Sequence, residues 1–118
     1  MELKDLNAEE RLALVALSRI MVRADGAVSP KENEMLADIA AELGQEAYRE
    51  AHSQSVLRFA DRASLRAFLR KIRPEARELI SDTILELATG DALAPEEVDL
   101  LRWLDETWKP PSDGTEEV

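Results

Sequence analysis

The chain has no cysteine. Disulfides, thiolate zinc sites and thiol catalysis are therefore excluded, and the composition suits a reducing compartment. Histidine occurs once, as His52, beside Ser53 and Ser55. No base, nucleophile and orienting group can be assembled around it, so it reads as a surface residue. Aromatic residues make up 4% of the chain, leaving few rings on which bases could stack. The four glycines form no phosphate-cradling loop, and there is no HExxH motif. No apolar stretch approaches the roughly 20 residues of a membrane-spanning helix. The start, Met1-Glu2-Leu3-Lys4-Asp5, lacks the basic and apolar regions of a secretory signal. A non-enzymatic, cytoplasmic domain is expected.

What is present is charge, unevenly placed. The net charge of −10 over 118 residues argues against general nucleic-acid binding. Seven bases nevertheless stand between Arg58 and Arg77: Arg58, Arg62, Arg66, Arg70, Lys71, Arg73 and Arg77. Only Asp61 and Glu75 oppose them, so this stretch is +5 and the remainder −15.

Helical periodicity dominates, and no alternating strand pattern occurs. Asn7 with Glu10 forms a capping box for a helix from about Ala8 to Ala24, apolar over much of its circumference. Ser29, Pro30 and Glu32 supply N-cap, first position and third position of a second helix, which Gly44 ends in a left-handed cap. The stretch from Glu46 to Ala60 reads as helical, with Tyr48, Ala51, Val56, Leu57 and Phe59 available for packing and a potential break at Ser53-Gln54-Ser55. Asp61 caps a helix expected to reach Ile72, and Pro74 and Pro95 open two more. Val98, Leu101, Leu104 and Trp108 are expected to face inward from the last of these. The expectation is an all-α compact bundle of five to six helices over residues 1–109, followed by a mobile acidic tail over 110–118.

Two acidic turns stand out. Ala24-Asp25-Gly26-Ala27-Val28-Ser29-Pro30-Lys31-Glu32 has an altered copy 65 positions later in Thr89-Gly90-Asp91-Ala92-Leu93-Ala94-Pro95-Glu96-Glu97. The copies imply two related helix-turn-helix units. In one reading they only start helices: Ser29 and Glu32 form a capping box, and Asp25-Gly26 is a good turn. In the other, Asp25, Glu32, Asp91 and Glu97 gather around a divalent cation, with Ca²⁺ or Mg²⁺ favoured because all the donors are oxygens. An EF-hand is rejected. With Glu32 at the twelfth loop position, Met21 and Arg23 would occupy the first and third, where oxygen ligands are required.

The string Ala24-Asp25-Gly26-x-Val28-Ser29-Pro30-x-Glu32, its echo near the C-terminus and the all-helical length together resemble the TerB-like superfamily, the tellurite-resistance protein B family, also found as the N-terminal part of a DnaJ-type membrane co-chaperone. The likeness covers about residues 8–108. It implies a helical, non-enzymatic interaction or sensing module of a stress-response system, with metal ions or partner proteins as ligands. The first motif falls on Asp25 and Glu32. The second falls on Glu97, with the Asp-Gly order reversed to Gly90-Asp91. With no thiols in the chain, direct reduction of tellurite is not expected.

Arg62, Arg66 and Arg70 recur every four residues, and Arg73 returns to the same side. They read either as a solvated face or as a docking stripe for an acidic protein partner. An anionic membrane surface or nucleic acid fits less well. Trp103, if exposed, would mark a partner or self-association surface. A metal-independent adaptor using this stripe or Trp103 is the alternative to cation sensing.

Overall fold

The computed structural model describes residues 2–23, 30–59, 61–88 and 95–108. After a one-turn 3₁₀ segment at Leu3–Asp5 come six helices: α1 (Ala8–Arg23), α2 (Pro30–Leu43), α3 (Gln45–Arg58), α4 (Arg62–Leu69), α5 (Pro74–Ala88) and α6 (Pro95–Trp108). The described residues contain no strand, so the expected all-α bundle is what forms. None of the described helices is long and apolar enough to cross a membrane.

Helix α1 is the axle. Six consecutive residues, Leu12 to Leu17, are buried, which no helix with a solvent-facing stripe can achieve. It lies against α2, α3 and α5, while α6 packs on α5 and α4. The Asn7 cap forms as the sequence requires. Asn7 Oδ1 accepts from the Glu10 amide at 2.9 Å, and the Asn7 amide donates to Glu10 Oε1 at 2.9 Å.

Helix α3 corrects two expectations. It runs unbroken through Ser53-Gln54-Ser55, where the Ser55 hydroxyl donates to the His52 carbonyl at 2.8 Å and is buried. Its packing face is made of small residues: Ala47 is half-buried, and Ala51 and Ser55 are buried. At intervals of four these form one stripe, and their size lets two helix backbones approach closely. Val56 and Leu57, expected to pack, are 54% and 78% exposed.

Helix α4 ends at Leu69 and not at Ile72. Its exit tightens through Lys71 N–H to Phe68 O and Ile72 N–H to Leu69 O, both 3.1 Å. Pro74 disfavours helical backbone at the residue before it. Arg77 holds this exit by donating to the Ile72 and Arg70 carbonyls at 2.7 and 2.8 Å. Ile72 is still buried, from the link instead of the helix. Gly44, between α2 and α3, has φ 98° and ψ 133°. The positive φ matches the sequence reading, but ψ lies outside the compact left-handed well.

Helices α2 and α6 share part of their burial pattern at the 65-residue offset. The described part of α1 and α5 runs to Arg23 and Ala88, and that of α2 and α6 starts at Pro30 and Pro95, with residues 24–29 and 89–94 between them outside the described set. Burial matches at four apolar or acidic positions of α2 and α6 and departs at others, Ala40 being buried where Asp105 is exposed. Glu32 and Glu97 are buried, Ile39 and Leu104 are buried, and Leu36 and Leu101 are half-buried, as are Leu43 and Trp108. Val98 and Leu101 are half-buried rather than fully inward, and Leu100, at 0% exposure, takes the central place on α6.

Candidate partner-binding face

Asp61 fixes the start of α4. Its side chain accepts from the Ser64 amide at 2.8 Å. That backbone hydrogen bond, with a second contribution from the Ser64 side chain, lowers the Asp61 carboxyl below its ordinary value. The far end of α4 is tied to α6, where the Trp108 indole N–H donates to the Leu69 carbonyl at 2.8 Å. The helix bearing the basic stripe is thus held at both ends.

Arg62 and Arg66 on that helix and Arg70 at its C-cap succeed one another at single-turn spacing. Trp103 of α6 is half-buried, not exposed. The Arg62 and Arg66 guanidiniums each lie 5.1 Å from the centre of its ring, within cation–π range. Arg66 also donates through Nε to Thr107 Oγ1 at 2.9 Å, and the Thr107 hydroxyl in turn donates to the Trp103 carbonyl at 2.9 Å. A depression of about 340 Å³, lined by the three arginines, Ala63, Ala67 and Trp103, runs along this face. The stripe and the tryptophan, separate in the sequence reading, belong to one surface.

Arg73 stands apart from the other three. It lies beyond the end of α4, and its fork grips Glu10: Nε to Oε2 at 2.5 Å and Nη2 to Oε1 at 2.9 Å. Glu10 is 1% exposed and Arg73 48% by side chain. The hydrogen bond from Arg73 is the main cause of a lowered Glu10 carboxyl, outweighing the opposing effect of burial. The reciprocal effect raises Arg73. Sequence reading found Glu10 as a capping residue but missed this partner 63 positions away, for which local spacing carries no signal. Among the described residues Glu10–Arg73 is the one ion pair within 4.0 Å. Arg62, Arg66 and Arg70 have no carboxylate at that distance among them.

Of the four proposed cation ligands, Asp25 and Asp91 lie outside the described residues. Glu32 and Glu97 are each the third residue of their helix and each 2% exposed. Among the described residues no group of three or more histidine or acidic side chains is arranged to hold an ion. Ser29 and residues 110–118 also fall outside the described set. No family model matches the chain, and no curated protein or solved structure matches it either.

Proposed function

We propose that this chain is a non-enzymatic interaction module that docks an acidic segment of a partner protein on the face formed by Arg62, Arg66, Arg70 and Trp103. One observation carries the reading. In a protein of net charge −10, three adjacent guanidiniums have no carboxylate within 4.0 Å among the described residues. Two of them are pre-oriented over an indole ring. Arginine forks match carboxylates bidentately, and a tryptophan among them adds the apolar anchor on which interfaces concentrate their energy. A Glu-rich peptide should therefore bind at least about tenfold tighter than its Gln counterpart at low salt, with the preference fading as salt rises. The intrinsic tryptophan fluorescence of the unaltered chain reads the titration. Replacing Arg62, Arg66 and Arg70 by Glu should abolish the preference. Equal binding of the two peptides to the unaltered face would overturn the reading.

A second reading is a cytoplasmic stress-response module of the TerB type, tuned by Ca²⁺ or Mg²⁺ through Asp25, Glu32, Asp91 and Glu97. The burial of Glu32 and Glu97, 65 positions apart and each third in its helix, supports the resemblance. A bound ion raises the melting temperature with concentration, by about 2.7 kcal/mol of stability at a hundred times its Kd. Asp25→Asn and Asp91→Asn should remove that response. A melting temperature indifferent to low-millimolar divalent ions would dismiss this reading and leave the docking face untouched.

A further inference from the structure

We propose that a second copy of this chain lays its α2 antiparallel on the α4 face. Helix α2 carries Glu34, Asp38 and Glu42 at intervals of four, all exposed. Helix α4 and its C-cap carry Arg62, Arg66 and Arg70 at the same interval. Exposed alanines accompany each row, Ala37 and Ala41 in one and Ala63 and Ala67 in the other. Read in opposite chain directions, the two sets coincide position for position: Glu34, Ala37, Asp38, Ala41, Glu42 against Arg70, Ala67, Arg66, Ala63, Arg62. Each row spans roughly 12 Å of helix.

Rows of residues four apart are the ridges by which helices pack, and a neighbouring row of alanines leaves a groove beside them. In the antiparallel arrangement each charged ridge lies over the other helix's alanines, next to the row of opposite charge. Within one chain no ion pair joins the two rows. Glu34, Asp38 and Glu42 have no base, and the three arginines no carboxylate, within 4.0 Å among the described residues. Of the lysines and arginines only Lys109 lies outside those residues, so the chain keeps almost no other base with which to neutralise the acidic row. Helix α5 has an acidic row at the same spacing, Glu78, Asp82 and Glu86, but Ser81 and Leu85 stand where α2 has alanines. Leu85 is 48% exposed, and its bulk holds an approaching ridge away. This occupancy rests on the docking reading of the α4 face and supplies the acidic segment from the chain itself.

Sedimentation velocity of the full chain over a concentration series tests it. At roughly 0.1 M salt, where repulsion between whole chains is screened beyond about 10 Å, the average mass should rise with concentration, and at roughly 1 M it should return to the monomer. Arg62→Glu with Arg70→Glu, and Glu34→Lys with Glu42→Lys, should each give a monomer. Mixing these two variants should restore association, because each brings one intact row. Glu78→Lys with Asp82→Lys changes the net charge as much as the α2 variant and should not weaken association. A mixture that stays monomeric, or an α5 variant as monomeric as the α2 variant, would overturn the proposal. The Glu-rich peptide separates it from the docking reading. A chain that stays monomeric while the peptide binds overturns self-docking alone, and failure of both removes the α4 face as a binding surface.

Discussion

Two groups of arginines share one basic segment and behave oppositely. Arg73 and Arg77, at its C-terminal end, turn inward. One grips the buried Glu10, and the other closes the carbonyls at the exit of α4. Arg62 and Arg66, two to three turns earlier, lie over Trp103, Arg70 follows one turn on, and none of the three has a carboxylate within 4.0 Å among the described residues. The same side chain staples in one place and presents in the other. The difference is set by backbone. Once α4 ends at Leu69, Arg73 is free of the helical register and reaches the N-terminus of α1. A charge cluster in sequence is thus not one functional unit. Its members divide according to which of them the neighbouring helices can satisfy.

The stapling group should dominate stability. Glu10→Ala removes the capping acceptor and the ion-pair acceptor at once, and Glu10 is almost fully buried. A loss of about 3 kcal/mol is expected, on the order of 10 °C in melting temperature for a domain this size. Chemical denaturation measures it directly. Arg73→Met is the sharper experiment, since it strands a buried carboxylate without a partner. It should destabilise more than the pair Glu10→Gln with Arg73→Met. If the single and double variants are equally stable, the two side chains are not coupled and the contrast with the stripe fails.

The same pair should show in the acid limb of the stability curve. The folded Glu10 carboxyl is depressed, chiefly by the hydrogen bond from Arg73. The unfolded chain therefore binds the proton first as pH falls below the ordinary glutamate range. The stabilisation is complete above that range and disappears as pH drops through the depressed folded value. Glu10→Gln should flatten this part of the curve relative to the unaltered chain. Asp61, also depressed, contributes with the same sign, so Glu10→Gln with Asp61→Asn should be flatter still. A variant curve parallel to the original would detach the ion pair from folding.

Much of the fold was readable because its signals are local. Asn7–Glu10 and Asp61–Ser64 are contacts between residues three apart, and Pro74 and Pro95 start helices by their own geometry. The 65-residue echo was legible for the same reason. What stayed hidden was decided by other helices. Val56 and Leu57 looked like packing residues, but α3 buries Ala51 and Ser55, and two large apolar side chains were left outside. Trp103 could not be placed from α6 alone, because its cover comes from Arg62 and Arg66.

The smallest effects belong to the presenting group and complete the contrast. Arg70 is exposed, and its side chain has no hydrogen bond among the described residues. Arg70→Ala should therefore change stability by no more than about 0.5 kcal/mol. Arg62→Ala gives up one contact over the indole and should cost about as little. Arg66→Ala is the exception within the stripe, because it also releases the Thr107 hydroxyl, and about 1 kcal/mol is expected. Near-ultraviolet circular dichroism from Trp103 should change for Arg62→Ala and Arg66→Ala but not for Arg70→Ala. A gradation of that kind, small in stability and distinct in the indole signal, is what a face kept for an external partner predicts. If Arg70→Ala matched Arg73→Met in its cost, both arginine groups would be structural, and the docking face would lose its physical basis.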